Sequence, residues 1–560
     1  MGSICCDDDV NASHEGDDGS RAPTTKYSFW NDFREEASLF LELACVNYLT
    51  YMGFAACPLI IASYVGRLYG PMYMTAFSLA NLTGNLCTQT LVLGLFGAID
   101  TLSPQALGKG DFAEVGRLWI RGVVSSVAIM VPINIPLVLF LEDILIACGE
   151  DPTAAHHAHR WYNVFVWSLP FSVVFQSTCK FLTVQRVMTP VIWVSIISTV
   201  SIIPMLEVLL NGFDVGFLGS AYAYVLFWVL QTWLLLTYVW FRRPYDERTW
   251  PTSSSNNTGA VCVLWKSSMD RTAMKDFVTL GLGGVVAQCE WVFWEALGLV
   301  VGKLGVVAMT AHTIPIQIIM NVSILPFACG IALAVRMGIT LPNSVARARC
   351  IAACVIGISL PLFGIISVLL YAYRKVWISI FLDLHADEID DGSIGSDADI
   401  GIDADNDSAV VYDLTESIWT LVSIFFPVVS LFMLLSGVSS ALGKQWVLGT
   451  INFFWLWVFG MPIIYYTSIM REDGGLRDGW FWMDVAYGGI TVSLIAVFTT
   501  TDWYGIQKAI IGRGSSSSSN EKNTDDRLNE DTDQLSVSVS STSSAANERT
   551  ALLIVEKSRC

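Results

Sequence analysis

The chain has 560 residues, of which 53% are hydrophobic and 15% are charged, and its mean hydropathy is +0.53. Soluble domains carry about 25% charged residues, so this composition excludes an ordinary soluble protein and indicates a membrane protein. The net charge of -18 comes mainly from acids in the two ends of the chain and in one loop, which excludes a basic surface for nucleic acid. The 13 cysteines show no metal-binding spacing.

Twelve apolar segments lie between two polar ends, each long enough to cross a bilayer at about 20 residues per span. The predicted fold is therefore an all-α membrane protein with twelve transmembrane helices. The segments lie at roughly 37–65, 72–98, 118–141, 161–184, 189–211, 217–241, 275–301, 307–334, 349–373, 415–442, 446–468 and 480–500.

These segments divide into two predicted six-helix bundles, at 37–241 and 275–500, joined by a cytoplasmic linker at 242–274. An acidic loop at 384–413 interrupts the second bundle. The ends, 1–36 and 501–560, are rich in Ser, Asp, Asn and Glu and are expected to be disordered, because such sequences cannot bury a core.

The orientation follows from the Lys and Arg residues of alternate loops. With the N-terminus inside, the cytoplasmic loops hold 15 of these residues and the opposite loops hold 7. Because cytoplasmic loops are enriched in Lys and Arg, both ends of the chain are predicted to be cytoplasmic, and the loop 384–413 is predicted to be extracytoplasmic or lumenal.

Two short sequences recur in the two halves, which indicates an internal duplication. Residues 65–68 (Val-Gly-Arg-Leu) recur as 301–304 (Val-Gly-Lys-Leu), and residues 74–76 (Met-Thr-Ala) recur as 309–311. Both matches fall between the first and second segments of a half, as a duplicated six-helix unit requires. We therefore expect two pseudo-symmetric bundles facing each other across a central cavity.

The second segment carries a stripe of polar side chains. Ser78, Asn81, Asn85 and Gln89 are spaced by three, four and four residues, which places them on one face of an α-helix. Intramembrane polar groups either line a solute pathway or hydrogen-bond neighbouring helices, and both interpretations remain open.

The eighth segment, the counterpart of the second, carries a similar stripe. Thr310, Thr313, Gln317 and Asn321 have the spacings of the first stripe, and His312 lies beside them. Two such stripes predict two walls of one wet cavity, with helix-to-helix hydrogen bonding as the alternative.

The seventh segment contains two acids, Glu290 and Glu295, within an apolar helix. Five residues at about 100° each separate them by about 140°, so we expect one to line the cavity while the other faces the bundle interior. A medium of low dielectric raises the pKa of a carboxylic acid, which would allow proton exchange near neutral pH. The alternative is that the acids are structural and bond a neighbouring helix.

Four motifs in order resemble those of the multidrug and toxic compound extrusion (MATE) family. Residues 100–110 contain an Asp-Thr pair followed by a Gln and a Gly-x-Gly turn, and residues 180–186 resemble the family's basic-Phe-Leu-x-x-Gln segment. Residues 290–295 (Glu-Trp-x-x-aromatic-Glu) resemble the eukaryotic branch, and residues 436–445 resemble the end of its tenth helix.

The resemblance implies an antiporter that exports small organic solutes, such as organic cations, drugs or metabolites, in exchange for H+ or Na+. It places Glu290 and Glu295 at the positions of the coupling and substrate acids, and it adds Asn81 and Asp100 to the candidate ion-coupling or substrate residues. No other cofactor is expected.

Three departures from the family pattern lie in otherwise similar segments. Val429 occupies the position of an acid in the tenth segment, and Val46 occupies that of a proline in the first. The Gly-x-Gly turn after the eighth segment is replaced by residues 342–344 (Pro-Asn-Ser). The missing acid leaves the ion stoichiometry and the choice of ion open.

Other functions remain as alternatives. A lipid-linked sugar flippase of the same superfamily would need a larger and more cationic cavity, and a transporter-like receptor would bind solute without moving it. An enzyme is not expected, because the sequence contains no phosphate-binding loop, metal-ligand cluster or recognisable nucleophile motif.

Both ends of the chain contain sequences that resemble targeting signals. Residues 1–6 (Met-Gly-Ser-Ile-Cys-Cys) resemble an acylation signal, although the usual Ser or Thr is replaced by Cys6. Glu548, Leu552 and Leu553 form an acidic dileucine pattern that a sorting adaptor could bind. We therefore expect a multi-pass protein of the plasma membrane or of a vacuolar or endolysosomal membrane.

Overall fold

The computed structural model describes residues 29–213, 215–249, 267–379 and 402–513, and these residues are almost entirely helical. We label the twelve long helices α1 to α12. Those of the N-terminal half are α1 (Phe29–Tyr69), α2 (Pro71–Gly84, Asn85–Gln89 and Thr90–Lys109), α3 (Phe112–Ala147), α4 (Pro152–Phe165, Val166–Ser168 and Leu169–Val184), α5 (Thr189–Leu206 and Glu207–Gly212) and α6 (Leu218–Arg242).

The C-terminal half contains the other six long helices. They are α7 (Arg271–Ala287 and Cys289–Gly302), α8 (Val306–Thr340), α9 (Val345–Ala372), α10 (Ile402–Ala441), α11 (Gln445–Met470) and α12 (Leu476–Thr500). A short helix, Arg374–Ser379, follows α9.

Eleven of these helices are long and apolar enough to cross a membrane. The exception is α4, where a tight turn at Val166–Ser168 separates helical segments of 14 and 16 residues. The two segments together occupy the predicted fourth span, so each of the twelve predicted segments corresponds to one helix.

Each half has its own hydrophobic core. The N-terminal core consists of residues between Cys57 and Tyr245 together with Phe277, the latter from the first turns of α7. The C-terminal core consists mainly of residues between Phe293 and Ile510, and α1 contributes the stretch 40–46. The first parts of α1 and α7 therefore pack against the opposite bundle.

Two glycines at equivalent positions of the two halves have similar backbone angles, as the internal duplication predicts. Gly70 precedes α2 with φ 83° and ψ -175°, and Gly305 precedes α8 with φ 100° and ψ 173°. Only glycine adopts such angles without strain. The two positions lie 235 residues apart, which is the offset of the Met-Thr-Ala match.

Several predicted boundaries are wrong because the helices extend beyond their apolar segments. Helix α1 begins at Phe29, inside the predicted N-terminal tail 1–36, and α10 begins at Ile402, inside the predicted loop 384–413. Residues 503–513 are also helical, although 501–560 was predicted to be disordered. The rule of about 20 residues per span counts only the part inside the hydrocarbon.

Four parts of the predicted organisation lie outside the described residues. They are the first part of the N-terminal tail, most of the linker, the centre of the acidic loop and the end of the chain, at 1–28, 250–266, 380–401 and 514–560. The acylation signal and the residues Glu548, Leu552 and Leu553 fall within them.

Candidate transport cavity and membrane acids

A cavity of about 100 Å³ lies between the two halves. Its walls come from α1, α2 and α4 on one side and from α7, α8, α10 and α11 on the other. The residues that line it are Tyr51, Leu93, Gly94, Gly97, Asp100, Lys180, Gly284, Ala287, Gln288, Phe327, Gly330, Ile331, Ala334, Val335, Met433, Ser436, Gly437, Ser440, Gln445 and Leu448.

The cavity wall contains one ion pair. Lys180 Nζ lies 2.7 Å from each carboxylate oxygen of Asp100, and the two side chains are 11% and 23% exposed. Among the described residues that line the cavity, these two are the charged ones, so the wall is neutral overall. Tyr51 also lines the cavity. Its ring packs edge-on against that of Phe327 of α8, so this contact joins the two halves.

Hydrogen bonds join the two halves on the side of the cavity that is predicted to face the cytoplasm. Thr101 Oγ1 donates to the carbonyl oxygen of Ser440 at 2.6 Å, and Gln105 Nε2 donates to that of Ala441 at 2.8 Å. Gln445 Nε2 donates to the carbonyl oxygen of Gly97 at 2.7 Å. In the predicted orientation, with both ends of the chain in the cytoplasm, these contacts would close the cavity toward the cytoplasm.

Glycines allow the helices to approach closely there. A Cβ atom on Gly284 of α7 would lie 2.1 Å from the carbonyl oxygen of Gly94 of α2. A Cβ atom on Gly108 would lie 2.2 Å from the carbonyl oxygen of Ile339, and Asn343 Nδ2 donates to the carbonyl oxygen of Gly108 at 3.0 Å. Backbone-to-backbone contacts of this kind are available only where a side chain is absent.

The two polar stripes occupy the outer halves of α2 and α8, the helices whose inner halves line the cavity. In the first stripe Ser78 and Asn85 are exposed and Asn81 is half-buried. In the second, Gln317 is exposed, whereas Thr310, Thr313 and Asn321 are half-buried. None of these seven side chains belongs to the lining of the cavity itself.

Gln89 lies in a different environment from the rest of the first stripe. A π-helical turn spans Asn85–Gln89, so the simple α-helical spacing does not hold there. Gln89 Nε2 donates to Ser172 Oγ at 3.3 Å, and Gln89 Oε1 accepts from Gln176 Nε2 at 3.4 Å. These contacts show Gln89 bonded to α4, which was the alternative interpretation of the stripe.

His312 lies away from the cavity, inside the C-terminal bundle. The residue is 2% exposed, and its ring packs edge-on against Trp480 of α12 with 5.6 Å between ring centroids. The predicted position of His312 on the cavity wall is therefore wrong, because its neighbour Thr313 and not His312 follows the spacing of the stripe.

The two acids of α7 lie in different environments. Glu290 is 7% exposed, and Tyr487 Oη donates to its Oε1 at 2.9 Å. Trp294 Nε1 donates in turn to Tyr487 Oη at 2.9 Å. Glu295 is exposed, so the helix directs the two carboxylates to different faces. Glu290 faces the interior of the C-terminal bundle and does not line the cavity.

Two ionisable residues inside the long helices were missed by sequence reasoning. Lys180 was considered as part of the motif 180–186, yet it lies within α4 and pairs with Asp100. Asp484 lies about a third of the way along α12, and neither of its buried carboxylate oxygens has a partner among the described residues. Both could have been found by testing every charged residue inside an apolar segment.

Sequence comparisons relate the chain to membrane transporters. The sequence profile of the MatE family matches residues 48–207 and 285–391. An uncharacterized transporter of Schizosaccharomyces pombe is 24% identical over 490 residues, which cover 84% of this chain and 82% of that protein. The multidrug and toxin extrusion protein 2 of Mus musculus is 26% identical over 57% of this chain, and the match spans about half (53%) of that relative.

A solved structure shows the same fold. The crystal structure of the eukaryotic MATE transporter AtDTX14 superimposes with a TM-score of 0.72 at 20% sequence identity. The superposition covers 86% of this chain and 99% of that one. The predicted all-α fold of twelve transmembrane helices in two bundles is confirmed, and the chain is an integral multi-pass membrane protein.

Proposed function

The chain belongs to the MATE family of multidrug and toxic compound extrusion transporters, and on that premise we propose that it is a secondary active antiporter. It exports small organic solutes, such as organic cations, drugs or metabolites, in exchange for H+ or Na+.

 The observation that carries this proposal is the buried carboxylate of Glu290. It accepts a hydrogen bond from Tyr487 inside the apolar C-terminal bundle. The bundle lies beside the central cavity, which is closed toward the predicted cytoplasmic side.

The proposed cycle alternates access to the central cavity. In the conformation of this structure, the contacts of Thr101, Gln105 and Gln445 close the cytoplasmic side, so solute would leave toward the opposite side. Binding of the coupling ion at Glu290 would then favour the return to a conformation that is open to the cytoplasm. A ligand shifts such an equilibrium only by its difference in affinity for the two states.

Glu295 has a separate proposed role in substrate selection. Its carboxylate is exposed, and it lies five residues beyond Glu290 on the outer part of α7. A carboxylate in a poorly hydrated pathway attracts cations more strongly than one in bulk water. This favours organic cations among the substrates of the proposed antiporter.

Asn81 and Asp100 are proposed to act in the N-terminal half. Asn81, in the first polar stripe, would contact solute on its way out, whereas Asp100 lines the cavity and is paired with Lys180. A solute cation that approached Asp100 would compete with the Lys180 ammonium group. A cation could therefore bind Asp100 only if the ion pair between Asp100 and Lys180 were broken.

The two alternative functions have less support. A lipid-linked sugar flippase would need a cationic cavity, whereas the charges of Asp100 and Lys180 cancel. A receptor that does not transport solute would bind it without accumulating it.

A transport assay separates these functions. Purified protein in sealed proteoliposomes is tested with a set of organic cations under a proton gradient, a sodium gradient or no gradient. An antiporter accumulates a solute under one of the two gradients, and the effective gradient identifies the ion. Stoichiometric binding without accumulation would contradict the proposal and favour a receptor.

A further inference from the structure

Two ionisable side chains inside the C-terminal bundle have no role in the function proposed above. His312 of α8 is 2% exposed, and neither ring nitrogen has a hydrogen-bond partner among the described residues. Both carboxylate oxygens of Asp484 on α12 are likewise buried without a partner in the described part of the chain. Burying such groups unpaired is unfavourable, so ionisable residues in membranes usually have a function.

Trp480 connects the surroundings of the two residues. Its ring contacts that of His312, and it lies one helical turn before Asp484 on the same face of α12. A cavity of about 10 Å³ is lined by His312, Trp480 and Met483, among others. This is roughly the volume that one water molecule needs, so a water at His312 is sterically feasible.

The residues form a series of increasing depth from the extracytoplasmic side. Helix α12 enters from that side at Leu476, and at about 1.5 Å per residue Asp484 lies about 12 Å and Tyr487 about 16 Å along it. His312 lies about 9 Å from the outer start of α8 by the same rise. Tyr487 donates its hydrogen bond to Glu290, so the series ends at the proposed coupling acid.

No charged residue of the neighbouring helices is among the described residues that line the small cavity. Helix α10 packs against α12 with Phe425, and its Glu416 is paired with Arg374 near the outer end. Helix α11 is followed on the outer side by three exposed charged residues, at 471–473. On α7, the residues that share the small cavity with His312 are apolar.

From this arrangement we propose that His312 and Asp484 form a relay that carries the coupling proton between the extracytoplasmic side and Glu290. The proposal rests on the proposed function, because it takes Glu290 as the coupling acid and H+ as the ion. A proton from outer water binds one nitrogen of His312, and the other nitrogen releases its proton to the Asp484 carboxylate. Asp484 then passes this proton to the Glu290 carboxylate and is again ionised. His312 is left as its other tautomer, and a flip of its ring restores the starting one.

The first test compares transport with and without net proton movement. His312→Asn and Asp484→Asn are reconstituted and tested with labelled tetraethylammonium, both under a proton gradient and in exchange with unlabelled tetraethylammonium at equal pH. We expect gradient-driven uptake to fall about tenfold or more, as for the loss of a proton-transfer group, whereas exchange stays within about twofold. Asp478→Asn, at the outer end of α12, is the matched control and should behave as the wild type does.

Two further measurements separate the relay from a structural role. Asp484→Glu keeps a carboxyl group and should restore part of the gradient-driven uptake. Infrared difference spectra across a pH jump should show a carboxyl band that is absent from Asp484→Asn, whichever solute is transported. Wild-type uptake in both relay variants, or no such band, would overturn the proposal. If instead Glu290→Gln retains gradient-driven uptake, the assignment of the coupling acid itself is wrong.

Discussion

Lys180 of α4 and Asp100 of α2 form a two-oxygen ion pair in the wall of the central cavity, with both N–O distances at 2.7 Å. The two side chains are largely shielded from solvent. The pair therefore fixes the inner end of α2 to α4 within the N-terminal bundle, next to the residues that close the cytoplasmic side.

Removing one partner of this pair should destabilise the protein more than removing both. Asp100→Asn or Lys180→Met leaves a buried charge without compensation, which typically lowers the free energy of unfolding by about 3–5 kcal/mol. The double variant leaves no unpaired charge and should be closer to the wild type. Thermal unfolding of the purified protein in detergent measures the three effects.

The exposed ion pair of Asp246 and Arg248 provides the control. Asp246→Asn should leave the unfolding temperature close to that of the wild type, because surface ion pairs contribute little to stability. A double variant that is less stable than both single variants would contradict the account of the Asp100–Lys180 pair.

Closure of the cytoplasmic side should depend on Gly284. In Gly284→Ala the new methyl group would overlap the carbonyl oxygen of Gly94, so α2 and α7 would have to separate. We expect a cysteine engineered in the cavity wall (Ser436→Cys) to react faster with an impermeant thiol reagent from the cytoplasmic side when Gly284→Ala is also present than when it is not. Gly302→Ala on the same helix is the control, since nothing lies within 4 Å of a Cβ atom there. Equal labelling in both backgrounds would show that this contact does not control closure.

The hydroxyl group of Tyr487 should be needed for efficient coupling. Tyr487→Phe removes the hydrogen bond to Glu290 and leaves the ring packing in place. Hydrogen bonds to charged groups contribute about 1.5–3 kcal/mol, so we expect gradient-driven transport to fall about tenfold or more. Tyr466→Phe, at an exposed position on α11, should have no effect. Comparable transport by the two variants would mean that Tyr487 does not position Glu290.

Glycosylation provides a test of the orientation. The sequence Asn406-Asp407-Ser408 is predicted to be lumenal and to accept a glycan, whereas Asn256-Asn257-Thr258 is predicted to be cytoplasmic and to stay unmodified. Asn406 lies in the first turns of α10, and Asn256 lies outside the described residues. Endoglycosidase treatment of Asn406→Gln and Asn256→Gln variants measures this, and a glycan on Asn256 would overturn the orientation.

The sequence predicts the helices well because a membrane span is a local property. An apolar run of about 20 residues identifies a span wherever it occurs, which gave all twelve segments. The extensions of α1 and α10 into polar sequence were missed, because nothing in the apolar pattern marks where a helix ends in the interface. The π-helical turn at Asn85–Gln89 was missed for a similar reason, since the prediction assumed regular α-helical spacing.

The site was harder to predict because its contacts are long-range. Lys180 and Asp100 are 80 residues apart in the sequence, and Glu290 and Tyr487 are 197 apart. No local pattern gives either pairing. The acids of α7 were recognised because two carboxylates in one apolar segment are rare, whereas Asp484, a single acid, was overlooked.

The most direct test of the account is gradient-driven transport by Glu290→Gln. Gln preserves the size and hydrogen-bonding capacity of Glu but cannot exchange a proton, so it separates charge cycling from packing. Proteoliposomes that contain the wild type, Glu290→Gln or Glu295→Gln are given the same organic cation under a defined proton or sodium gradient. We expect Glu290→Gln to insert and fold normally but to lose accumulation, and Glu295→Gln to accumulate cations less well. Wild-type accumulation by both variants would show that the acids are structural and would contradict the proposed mechanism.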